Sequence, residues 1–123
     1  MLSKDEVRGV IDVYIKAWET QDPDLIVTIF TPDATYAERV FEEPHRGEDG
    51  IRAYWQSKVV GEQSNISCQL LNLYLDGNVA TAEWEAEFDT PAGRKRMREV
   101  AILEFRGGLI SSLREYWSSI NVS

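Results

Sequence analysis

Apolar residues recur at helical spacing in the first half of the chain and alternate with polar ones in the second. Val7, Val10, Ile11, Tyr14 and Trp18 fall at i, i+3, i+4, i+7 and i+11, one stripe of an amphipathic helix. Ser3 and Glu6 form a capping-box pair, which predicts a helix starting at Lys4. Thr20-Gln21-Asp22 breaks the stripe. Asp22 then caps a second predicted helix, with Pro23 at its first position and Leu25, Ile26, Ile29 and Phe30 on its buried face. Thr31-Pro32-Asp33 stops it. A strand is expected over 34–41, with Tyr36, Glu38 and Val40 on one side and Arg39 on the other, followed by a turn through His45. A third helix over about 48–59 presents Ile51, Tyr54, Trp55 and Val59 and ends at Gly61.

The remainder reads as four strands over 64–75, 79–88, 94–105 and 109–120. Asp76-Gly77 and Gly107-Gly108 are hairpin turns, because glycine accepts positive φ. Helices first and antiparallel strands last make an α+β fold, with a single domain over 1–123. In 79–88, Ala80, Ala82, Trp84, Ala86 and Phe88 share the core face, and the small residues beside one tryptophan leave room. If Glu87 faces Arg96, Glu85 meets Arg98, and the basic run at 94–98 is half of an outer charge ladder. Glu99 departs from the pattern. It lies on the apolar side, between Met97 and Ala101, where acids are rare unless paired, functional or able to reach water. In the last strand, a clean two-residue turn pairs Phe105 with Ile110 and sends Ile110, Ser112, Arg114 and Tyr116 inward.

Composition narrows the partners. A length of 123 residues with 43% hydrophobic content supports one core. A net charge of −8 repels phosphate backbones, so nucleic acid is not expected. No run approaches the ~20 apolar residues of a membrane helix, so no membrane partner is expected. The first residues lack a secretory pattern, and Cys68 is the only cysteine, which points to a cytoplasmic protein. Cys68 reads as a small core or sheet residue. One histidine and one cysteine do not make a zinc site, and no nucleotide motif is present, so neither metal nor cofactor is expected. His45 reads as a solvent-facing turn residue, and Glu42 and Glu43 as solvated loop charges.

Two stretches carry a resemblance: "YIKAWETQDPDLIVTIFTPDATYAERVFEEPHRGEDGIRAYW" and "LEFRGGLISSLREYW". With the order of elements, they resemble the nuclear transport factor 2-like, or SnoaL-like, superfamily over nearly the whole chain. The resemblance implies a cystatin-like cone, three N-terminal helices packed in a strongly curved mixed or mostly antiparallel sheet. The superfamily holds isomerases, hydrolases, cyclases, dehydratases and non-catalytic modules. The front half is similar to ketosteroid isomerase. That likeness places a carboxylate base at Glu38 and an oxyanion-binding tyrosine at Tyr14; the second acid aligns near Ala101, with Glu99 on the same face. The other relative is limonene-epoxide hydrolase, whose water-activating tyrosine and asparagine resemble Tyr36 and Glu38 and whose two acids resemble Glu99 and Glu115, with Met97 where the bridging arginine stands. This alignment puts Leu113, Glu115 and Trp117 inside, and so requires a bulge near the Gly107-Gly108 turn.

The expected site is therefore a cavity with Glu38, Tyr14, Glu99 and Glu115 as catalytic groups and Tyr36, Trp18, Trp55, Trp84, Met97 and Trp117 as substrate-binding walls. Rings around a carboxyl group strip its solvation and raise its pKa, and a second acid separates the two protonation states. Such a pair suits proton abstraction beside a carbonyl, or activation of water, on a hydrophobic small molecule. The alternative is a non-catalytic ligand-binding or dimerisation module with Trp84 and Met97 filling the interior. An acidic, tryptophan-lined pocket for an amine is a further reading. Val79, Val100 and Ile102 on the outer face suit a homodimer, which the resemblance also implies.

Overall fold

The computed structural model describes residues 2–122. Both halves of the capping box form: Ser3 Oγ accepts the Glu6 N–H at 3.1 Å, and Glu6 Oε1 accepts the Ser3 N–H at 3.0 Å. Helix α1, Lys4–Glu19, comes next and buries Val7, Ile11, Tyr14, Ala17 and Trp18. Asp22 Oδ1 accepts the N–H groups of Asp24 and Leu25, each at 3.1 Å, and opens α2, Pro23–Ile26.

This second helix is shorter than its pattern suggests. Val27, Thr28 and Ile29 are consecutive β-branched residues, which are stiff in a helix. The chain tightens there into a 3₁₀ turn, and Phe30 starts a strand instead of closing a helix. Strand β1 is Phe30–Ala37, so Thr31-Pro32-Asp33 lies inside it rather than acting as a stop. Pro32 is tolerated because pairing with the neighbouring strand is interrupted between Phe30 and Thr35. Because β1 ends at Ala37, side-chain alternation does not extend to Val40, which is exposed rather than turned inward.

Strand β2, His45–Arg46, leads into α3, Gly47–Trp55, which widens into a π-helical turn over Gln56–Val60. Gly61 keeps right-handed helical geometry with φ −77°, so it is not the left-handed cap that its position suggested. Strands β3 (Ser64–Asp76), β4 (Val79–Thr90), β5 (Gly93–Arg106) and β6 (Leu109–Val122) complete a sheet of order β2-β1-β6-β5-β4-β3. Every neighbouring pair is antiparallel except β1 with β6, so the sheet is mixed. Three helices, with β1 and β2 between the second and the third, together with this sheet give the expected α+β cone.

The β4–β5 register is the one the charges required. Glu87 faces Arg96 and Glu85 faces Arg98, with ion pairs of 3.0 and 2.6 Å. These pairs are largely exposed and set register more than stability. The β5–β6 hairpin accommodates both of its sequence readings. Phe105 pairs with Ile110 as the Gly107-Gly108 turn demands, yet Glu104 pairs with Ser112, leaving Ser111 as a bulge. The Ser111 hydroxyl donates to the Glu104 carbonyl at 3.2 Å. One extra residue reverses the facing of everything after it. Ile110 is buried before the bulge and Leu113 and Glu115 after it, while Arg114 turns outward to Glu104 at 2.6 Å. Among the described residues, no helix is long and apolar enough to cross a membrane.

Candidate active site

Between α1, α3 and the inner face of β1, β5 and β6 lies an open cavity of about 470 Å³. Glu99 and Glu115 stand at its floor, 1% and 7% exposed. Glu99 faces Trp117 across the β5–β6 ladder and Glu115 faces Ala101, so the two acids are diagonal neighbours on one face. That placement lets each carboxyl influence the ionisation of the other.

Burial raises both acids, and their environments separate them. Glu99 is held well above the usual glutamate range by burial and then by the neighbouring Glu115 charge. The Trp84 indole opposes this weakly. It sits opposite Glu99 across the β4–β5 ladder, but Trp84 Nε1 and Glu99 Oε2 are both left without a full hydrogen bond. Glu115 is pushed up to about 7 by burial, restrained by the hydroxyls of Tyr36 and Tyr14 and by the Glu99 proton. Tyr14 donates to Glu115 Oε1 at 3.1 Å, and the Tyr14 and Tyr36 oxygens are 2.6 Å apart. Burial holds both phenols neutral, so they remain donors. The floor thus carries a Glu99 whose burial favours the protonated form, a Glu115 near its midpoint at neutral pH and two tyrosine hydroxyls that hold it back.

The rest of the wall is aromatic. Tyr14 packs edge-on to Trp18 at 6.3 Å and to Trp55 at 5.7 Å. The Trp18 Nε1–H donates to Gln63 Oε1 at 2.8 Å, which fixes that ring. At the mouth, Arg39 lies 5.2 Å over the ring of Trp117, whose indole donates to the Glu38 carbonyl at 3.2 Å. The Glu38 side chain also lines the cavity, 3.4 Å from the Arg39 guanidinium.

A profile of the SnoaL-like domain matches residues 11–113. The chain belongs to the SnoaL-like domain family. Comparison with curated proteins finds no match. Among solved structures, the chain is similar to a hypothetical protein of ketosteroid isomerase-like fold from Catenulispora acidiphila, in complex with trimethylamine. The identity is 21%, over 89% of this chain and 85% of that one, with a TM-score of 0.79. It is also similar to SalBIII, an epoxide hydrolase/cyclase-like enzyme of pyran ring formation in the polyether salinomycin. There the identity is 23%, over 96% and 95% of the two chains, with a TM-score of 0.81. At these identities the similarity is one of fold.

Within this SnoaL-like domain the structure brings together Tyr14, Trp18, Tyr36, Glu38, Trp55, Met97, Glu99, Glu115 and Trp117 around one cavity. Trp84 is the exception among the expected walls. It is 0% exposed and sits behind Tyr14, 4.9 Å between ring centroids, as core rather than lining. Arg39 was expected outside; two residues beyond the end of β1, it folds over Trp117 instead. His45 is half-buried rather than solvent-facing, because it pairs with Tyr36 in β2 and stacks on Tyr54 at 4.2 Å. Cys68 fits its sheet role: burial pushes its thiol up to about 12, and its N–H donates to Glu19. Tyr54 and Gln63 line the cavity without having been singled out. The polar tip on an otherwise apolar helix face was a signal for Tyr54; nothing in the local sequence marked Gln63.

Proposed function

We propose that this domain is an acid/base enzyme acting on a small hydrophobic molecule with its own side chains, in an isomerase- or hydrolase-like reaction. The observation that carries this is the Glu99–Glu115 pair at the floor of an open, ring-lined cavity, both acids raised by burial and Glu115 restrained by the Tyr14 and Tyr36 hydroxyls. The open volume in front of the acids argues against a module whose interior is filled.

Of the two chemistries, opening of a strained C–O bond uses the pair more fully. Glu115 takes the proton of an attacking water or substrate hydroxyl as the new C–O bond forms. The electron pair of the breaking C–O bond goes to the leaving oxygen, which takes a proton from Glu99. Glu115 then holds a proton and Glu99 a charge, and transfer between them restores the start. The pair therefore carries one proton before and after each turnover. The epoxide hydrolase/cyclase description of SalBIII agrees with this chemistry. In the isomerase-like form, a carboxylate takes a proton beside a carbonyl and returns it. Glu38, the base by resemblance, then acts from the mouth beside Arg39.

The same proposal includes a cytoplasmic homodimer joined through the outer sheet face, where Val79, Val100, Ile102 and the exposed Tyr116 lie among charges. Sedimentation at micromolar concentration tests it; a monomer there contradicts it. For the chemistry, Glu115→Gln and Glu99→Gln are assayed on a panel of epoxy-alcohols and unsaturated ketones. A loss of about 10²–10⁴-fold in kcat with an unchanged circular dichroism spectrum is expected. Wild-type turnover in both variants would remove the pair from the chemistry.

A further inference from the structure

Three phenols line the cavity, and two are already committed. Tyr14 and Tyr36 are bonded to each other at 2.6 Å, and Tyr14 donates to Glu115 at 3.1 Å. The Tyr54 hydroxyl has no hydrogen-bond partner among the described residues, although its ring is firmly placed. His45 stacks on it at 4.2 Å with planes 21° apart, and the Tyr36 ring lies at 5.3 Å. Tyr54 lines the same cavity as Glu38, Glu99 and Glu115. A held ring with a free hydroxyl beside an acid pair is a built contact point for a ligand.

We infer that Tyr54 is a substrate-contacting residue whose hydroxyl donates to a neutral oxygen of the substrate, a carbonyl or epoxide oxygen, so the site selects oxygen acceptors over amines. This deepens the proposed function and rests on the cavity being its substrate site. Burial keeps the phenol neutral, so it offers a proton at any ordinary pH. The rim opposes an ammonium ligand. Arg39 is paired with Glu38 and Lys58 with Glu62, each at 3.4 Å, while Lys95 is bonded to the Asn121 amide oxygen at 3.0 Å and adds an unbalanced positive charge. At the floor, burial favours the protonated form of Glu99, and Glu115 already receives the Tyr14 hydroxyl. An amine would therefore meet carboxyl groups already ion-paired or hydrogen-bonded, whereas an oxygen acceptor meets a free donor.

The test uses three probes with one naphthalene body: 2-acetylnaphthalene, its oxygen-free analogue 2-isopropenylnaphthalene, and 1-(2-naphthyl)ethylamine. Calorimetric Kd values are measured on the full chain and on Tyr54→Phe. The ketone-over-alkene preference is expected to fall about tenfold in Tyr54→Phe, with the alkene Kd unchanged as a control for folding. The amine is expected to bind most weakly to the wild type. An unchanged preference in Tyr54→Phe, an amine that binds tightest, or no binding of any probe overturns the inference. The acid-pair chemistry fails separately, by turnover that survives in Glu99→Gln and Glu115→Gln.

Discussion

The hydroxyl of Tyr14, from the middle of the first helix, donates to Glu115 Oε1 at 3.1 Å across 101 residues of chain. This contact joins the helical layer to the last strand at the point where the acids meet. It also opposes the burial that raises Glu115, keeping the carboxylate accessible near neutral pH.

The acid limb of the rate profile is set by that balance. If Glu115 is the base, kcat/KM for a turned-over epoxide or ketone should rise with pH through a midpoint near 7, where Glu115 loses its proton. A profile with its midpoint near 4.5, the ordinary glutamate value, would assign the base elsewhere.

Removing the hydroxyl donors should move that limb upward. The Tyr14 and Tyr36 hydroxyls both lower the Glu115 pKa, and a hydrogen bond to a charged group is worth about 1.5–3 kcal/mol. Tyr14→Phe or Tyr36→Phe should therefore raise the midpoint by about one pH unit or more. An unmoved midpoint in both variants contradicts the proposed network.

The acids also couple stability to pH. Glu115 has a folded pKa of about 7, above its ordinary value of 4.5, so the fold binds more protons than the unfolded chain between those pH values. The stability this group supplies is complete below pH 4.5 and is lost as pH rises through about 7, a change of roughly 3 kcal/mol. Melting curves across that window should show Tm falling with pH, and Glu115→Gln should flatten the fall. A parallel curve for the variant would contradict the linkage.

Trp84 separates core from cavity. As a fully buried ring behind Tyr14, it should cost about 3–5 kcal/mol of unfolding free energy when replaced by alanine. Equilibrium denaturation measures this; a loss under 1 kcal/mol would place the ring outside the core.

The helices, strands and charge ladder were legible in the sequence because each obeys a local rule. Ser3 and Glu6 cap α1, Asp22 caps α2, and Glu85 and Glu87 choose their arginines. The inner face of β5 was legible in the same way, and Glu99 stood out as an acid within it. The facing of β6 was not settled by alternation alone, since Gly107-Gly108 and the Ser111 bulge are both compatible with the residues present and only pairing with β5 distinguishes them. The inward turn of Glu115 depends entirely on that one extra residue. The end of β1 was similarly hidden. Alternation through Tyr36, Glu38 and Val40 looks continuous, but the strand ends at Ala37, leaving Glu38 at the mouth. The free hydroxyl of Tyr54 is a tertiary property, visible only once the partners of Tyr14 and Tyr36 are placed.

The most direct measurement is a pH titration of the glutamate side-chain carboxyl carbons by 13C NMR, with the two acids assigned from Glu99→Gln and Glu115→Gln. One buried carboxyl, that of Glu115, should titrate near pH 7, while that of Glu99 should stay protonated through neutrality. Ionisation of both near pH 4.5 would contradict a raised acid pair at the cavity floor.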